Sequence, residues 1–163
     1  MSGDLLSIYL ADHLSGATAG SSRMRRLAEH ERAAVDGAVL AAVAAEIEQD
    51  RQTLLDILAA VRVPPSWYKT VMALLVERIG LLKTNGRLLR RSPLTSVIEL
   101  ELMTAAVTGK LAMWEALQHT DLHEEFDFDA LVQRASHQIE RLRAAHLARA
   151  RVMFHEAIST ATS

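Results

Sequence analysis

Apolar residues recur along this chain at spacings of three and four, and runs that alternate apolar with polar residues are missing, so the pattern predicts helices and no strands. The first helix runs from about Leu5 to His30 with Asp4 as N-cap, and the second from about Arg32 to Val63. Pro64-Pro65 ends the second, because proline has no N–H to donate and disfavours helical geometry in the preceding residue. A shorter third helix spans about Ser66 to Lys83 and stops at Asn85-Gly86, a pair suited to left-handed backbone. Ser92 and Pro93, as N-cap and first helical residue, open a fourth helix that reaches about His119. The polar stretch Thr120 to Asp127 is a turn, and a last helix covers about Asp129 to Ile158.

Each long helix has a seam at alternating steps of four and three. The first reads Leu6, Leu10, His13, Ala17, Gly20, Met24, Leu27, with one polar member, His13. The second reads Leu40, Val43, Ile47, Asp50, Leu54, Ile57, Val61, so the Asp50 carboxylate stands where the pattern is otherwise aliphatic and should point inward. The last reads Phe128, Val132, Ala135, Ile139, Leu142, His146, Arg149, Met153, with His146 as the second inward histidine. The fourth helix has its apolar face at Val97, Leu100, Thr104, Val107, Leu111 and Trp114, flanked by Glu101, Thr108 and Glu115.

Equal counting on either side of a turn pairs residues at one height in an antiparallel hairpin. About His30 to Arg32 this sets His13 level with Asp50, with Asp12 and Glu46 on the flanks; about Asp121 to His123 it sets His146 level with Ile98 to Glu101. A lone buried carboxylate costs several kcal/mol, of the order of the penalties seen for buried ions, so Asp50 needs a partner, a metal or a proton. Two readings follow. In one, His13 and Asp50 hydrogen-bond and fix helix register; in the other, His13, Glu46, Asp50, Glu101 and His146, with Asp12 beside them, surround one or two ions of Fe, Mn or Zn.

The 163 residues make one domain's worth of chain, 1–163, with half its residues apolar. No cysteine is present, which removes disulfides, thiolate metal sites and thiol nucleophiles. A net charge of −2 gives no global field toward nucleic acid or an anionic membrane. No apolar run approaches the roughly 18 to 20 residues of a membrane span, and no cationic, then apolar, leader opens the chain, so the expectation is a soluble cytoplasmic protein. There is no Gly-x-Ser-x-Gly elbow and no phosphate-binding Gly-rich loop, so an enzyme is not expected.

Four helices of roughly 38 to 48 Å at 1.5 Å per residue suit a long bundle, and the short helix returns the chain between the second and fourth. A plain up-down array with that helix across one end is the alternative. With its inward carboxylates and histidines, the chain resembles the ferritin-like superfamily. That resemblance implies an all-α four-helix bundle whose long crossover carries a short extra helix, and in iron-binding members a Glu-x-x-His pair on the hairpins. No such pair occurs here. The nearest approximations are Glu46-Ile47-Glu48-Gln49-Asp50 and the reversed His137-Gln138-Ile139-Glu140, whose His137 and Glu140 face away from the seam. The opening Tyr9-Leu10-Ala11-Asp12-His13-Leu14-Ser15-Gly16-Ala17-Thr18-Ala19-Gly20 is similar to that of small actinobacterial proteins, a likeness that brings no activity with it.

Two surfaces complete the reading. Arg87, Arg90 and Arg91, with Lys83, sit beside a helix N-terminus, where an anionic ligand could dock. Met103, Met113, Trp114 and Leu117 widen the fourth helix's apolar surface beyond one stripe, which suits contact with a second copy in a homodimer. The expected role is that of a non-catalytic structural or interaction protein with a His–carboxylate core and no cofactor; the alternative is a metal-binding bundle using the five residues above.

Overall fold

A computed structural model describes residues 2–61 and 93–161. Over these the chain forms α1 (Ser2–His30), α2 (Gly37–Ala60), α3 (Pro93–Leu117), a 3-10 turn at Asp121–Glu124 and α4 (Phe128–Ala161), with no strand among the described residues. The expected short helix over Ser66 to Lys83 and the basic loop of Arg87, Arg90 and Arg91 lie outside them.

α1 packs along α2 and α3 along α4, while α1 also meets α3 and α2 meets α4, which makes a four-helix bundle around one core. The ends are set by cross-helix bonds. Ser96, near the start of α3, donates its hydroxyl to Glu31 just beyond α1, and Arg149, late in α4, reaches both Glu31 and Asp36 in the α1–α2 turn. The beginnings of α2 and α3 therefore share one end of the bundle, and the two helices run parallel. The 24 residues of α2 carry its terminus about 36 Å further, to the opposite end from the start of α3. No helix among the described residues is long and apolar enough to cross a membrane.

α2 begins later than its periodicity predicts because the chain first makes two tight turns, Ala34 N–H to Glu31 C=O and Gly37 N–H to Ala34 C=O, each 2.9 Å. Gly37 is required there. A Cβ at this position would stand 2.6 Å from the carbonyl oxygens of both Glu31 and Arg32. At the other hairpin, the Asp127 carboxylate accepts the Ala130 N–H at 3.0 Å and so caps α4.

The α2 seam is as its spacing predicts, with Leu40, Val43, Ile47, Asp50, Leu54 and Ile57 all buried. On α4 the stripe is rotated from the expected one: Leu131, Gln138 and Ala145 are buried, and Val132, Ile139 and His146 only partly so. Both phases share Phe128, Ala135 and Leu142, and the apolar Ile139 favoured the wrong one. The reading of α3 needs a larger correction, since Met103, Met113, Trp114 and Leu117 all lie within the subunit's own core. What α3 exposes instead is Leu94, Ile98 and Leu102.

Candidate functional site

Glu46 and Asp50 stand one helical turn apart on the same face of α2, and that spacing sets two carboxylates against α4. Asp50 is 1% exposed. Its oxygens accept from three side chains on two other helices: Lys110 of α3 donates from Nζ to Oδ2, Arg134 of α4 from Nε to Oδ1 at 2.7 Å, and Gln138 of α4 from Nε2 to Oδ2 at 3.2 Å. Gln138 is fully buried and joins the parts, accepting from Lys110 at 2.6 Å on Oε1 and donating to Glu46 at 3.1 Å. Arg141, three residues further along α4, grips Glu46 with both terminal guanidinium nitrogens, one of them at 2.9 Å.

The electrostatics follow from burial. Withdrawal from water lowers the Lys110 ammonium below its ordinary range, against the opposing pull of the Asp50 carboxylate. Burial alone would raise Glu46, but hydrogen bonds from Arg141 and Gln138, with the charges of Arg141 and Arg134, outweigh it and hold its carboxyl below the usual value. Three cations, Lys110, Arg134 and Arg141, against two carboxylates leave the cluster with one net positive charge.

Beside the cluster lies a half-open cavity of about 280 Å³ bordered by α1, α2 and α3. It exists because α1 presents Gly16, Ala17 and Gly20 where a seam usually carries large side chains; a Cβ on Gly16 would meet nothing within 4 Å. Apolar side chains make up most of the remaining wall, and Asp12, His13, Asp50, Arg51 and Lys110 are its polar members. Trp114, one turn beyond Lys110, also lines it, and its indole N–H is the single fully buried side-chain polar group without a partner among the described residues.

The predicted site residues divide. Asp50 points inward as expected, but His13 is not one of its partners: the imidazole is half-buried at the cavity and stands edge-on to Tyr9, ring centroids 4.6 Å apart. Burial lowers its pKa, with Asp12 opposing. The correction has a simple cause, since ammonium and guanidinium groups compensate a buried carboxylate better than a neutral imidazole. His146 does meet Glu101, Nε2 to Oε1 at 3.1 Å, as the level count predicted, yet the Glu101 side chain is 59% exposed, so the pair lies at the surface. His137 and Glu140 are exposed, as expected.

The five residues expected around a metal are therefore not brought together. Among the described residues no three of His, Asp or Glu form a group able to hold an ion. The two carboxylates that are close, Glu46 and Asp50, already face three cations, a donor set that does not fit a divalent metal. Lys110, Arg134, Gln138 and Arg141 were not among the expected site residues. Lys110 had a signal: Met103, Val107, Lys110 and Trp114 keep the seam's four-three-four spacing, and a cation there is as anomalous as Asp50 on α2. Compared with known protein families, curated proteins and solved structures, the chain matches none.

Proposed function

We propose that this chain is a non-catalytic structural or interaction protein, ferritin-like in connectivity, in which a charged node inside the bundle fixes how the helices pair. The observation that carries this is Asp50, buried on α2 and held by donors from α3 and α4 at once. A slip of α2, α3 or α4 by a turn separates these groups and leaves an uncompensated buried charge, so the node favours one register of these three helices over the alternatives. The parallel course of α2 and α3 supports a crossover connection of the ferritin-like kind.

The test replaces the node by hydrophobic residues, Asp50→Leu with Lys110→Leu and Gln138→Leu. The expected product remains helical but loses unique packing, seen as collapsed amide dispersion by NMR and increased dye binding. Sharp, dispersed spectra from the triple variant would overturn the register role. The metal-binding alternative is tested on untagged protein: the expected result is no retained Fe, Mn or Zn, and no thermal shift when they are added. One or two equivalents lost on Asp50→Ala would favour that alternative instead.

A further inference from the structure

We propose that Lys110 is a covalent attachment site for small apolar aldehydes, which enter the half-open cavity bordered by α1, α2 and α3 and condense with its side-chain amine. Lys110 and Asp50 are the two members of the charged node that also line this cavity. The Lys110 side chain is drawn into the protein, with 13% of its surface exposed, beside walls that are mostly apolar. A lysine amine becomes a nucleophile when it is desolvated or set next to a second cation, and both conditions hold here. Burial lowers the Lys110 ammonium, and the Arg134 guanidinium, which shares Asp50 with it, adds to this against the pull of the Asp50 and Glu46 carboxylates. A group that can take and return a proton is also needed, and Nζ already donates to the Asp50 carboxylate.

The condensation balances with the groups in place. A proton passes from the ammonium to Asp50, and the neutral Nζ attacks the carbonyl carbon. A C–N bond forms as the C=O π pair moves to oxygen, which takes a proton from the nitrogen to give a carbinolamine. Asp50 returns its proton as the hydroxyl leaves, so one water is released and a protonated imine remains. That imine keeps a positive charge opposite Asp50, and the node stays compensated. Charge at the remaining wall does not select the ligand, because Asp12, His13 and Arg51 bring both signs and Arg51 is paired with Glu48. A neutral molecule suits that setting. A cavity of about 150 Å³ holds benzene, so about 280 Å³ takes an aryl or short-alkyl aldehyde. This reactivity goes beyond the scaffold role, which is read from packing and stands whether or not the amine condenses.

Benzaldehyde with cyanoborohydride, which reduces the imine to a stable secondary amine, tests the assignment when the product is mapped by peptide mass spectrometry. The chain has three lysines, so Lys69 and Lys83 serve as internal references. The expected result is benzylation of Lys110 at least about tenfold faster than of either reference in the folded protein, with the preference lost in urea. Benzyl alcohol, similar in shape but without the carbonyl, should protect Lys110 and leave the references unchanged. Ala17→Phe fills the cavity and should likewise slow Lys110 while leaving the helical circular-dichroism signal intact; if that variant does not fold, protection by benzyl alcohol stands as the test of the cavity. Labelling of Lys110 no faster than of the references, no protection by benzyl alcohol, or undiminished labelling in folded Ala17→Phe would each overturn the site.

Discussion

Lys110 on α3 donates directly to the buried carboxylate of Asp50 on α2, and these two residues hold together helices that occupy diagonal corners of the bundle. The pair is asymmetric in what it leaves behind. Asp50→Ala removes the carboxylate that Lys110 and Arg134 share and should cost about 3–5 kcal/mol in urea denaturation. Combining Asp50→Leu with Lys110→Met should cost less than the sum of the single changes, because neither charge is then buried alone. Additive losses in that double-mutant cycle would mean that the two side chains do not interact.

Acid should destabilise the protein in two stages. His13 has a folded pKa below its ordinary 6.5, so the unfolded chain binds the proton first; stability falls as the pH drops below 6.5 and levels off beneath the folded value. Glu46 and Glu48 have folded pKa values below 4.5, the latter about 2 because of Arg51 and the Ser21 hydroxyl. Their contribution is present above 4.5 and is lost as the pH falls through the folded values. Urea midpoints measured against pH should show both stages, with His13→Asn removing the upper one and Glu46→Gln with Glu48→Gln reducing the lower one.

Two glycines should respond in opposite directions to the same substitution. Gly16 lies within α1 with no heavy atom within 4 Å of its would-be Cβ, so Gly16→Ala should add about 1 kcal/mol through helix propensity. Gly37→Ala drives a methyl group into two backbone carbonyls and should destabilise by about 1–3 kcal/mol. Melting temperatures of the two variants should move to either side of the parent; shifts of the same sign would contradict the tight turn at residue 37.

Arg149 clamps the α1–α2 turn, with two nitrogens on Asp36 at 2.8 Å each and one also on Glu31 at 3.1 Å. Because its side chain is only 17% exposed, this is not an ordinary surface ion pair. Arg149→Met should cost about 1–2 kcal/mol, and amide exchange should accelerate from Glu31 to Gly37 before it does in the mid-bundle. Unchanged exchange in that turn would show that α4 does not hold it.

Association with a second copy is proposed through the outer face of α3, where Leu94, Ile98 and Leu102 stand at four-residue intervals, each 44–45% exposed. Sedimentation should give a dimer for the parent and a monomer for Ile98→Glu with Leu102→Glu. A monomeric parent at about 100 μM would remove the homodimer.

The number of the described long helices, the inward turn of Asp50 and the common height of Glu101 and His146 were legible in the chain, because they follow from helical periodicity and equal counting across a turn, whereas the late start of α2 depends on the tight turns before Gly37. Of the partners of Asp50, only Lys110 left a trace, as a cation at seam spacing on α3; Arg134 and Gln138 left none. Local spacing left the α4 stripe ambiguous between Gln138 and Ile139, and nothing along one helix says how far a lysine or arginine head can reach from a flanking position into another helix's seam. The cavity was hidden for a related reason. Small residues on α1 suit the close approach of a neighbouring helix, and empty volume belongs to the distance between three helices, which their assembled packing sets and no single stretch of chain encodes.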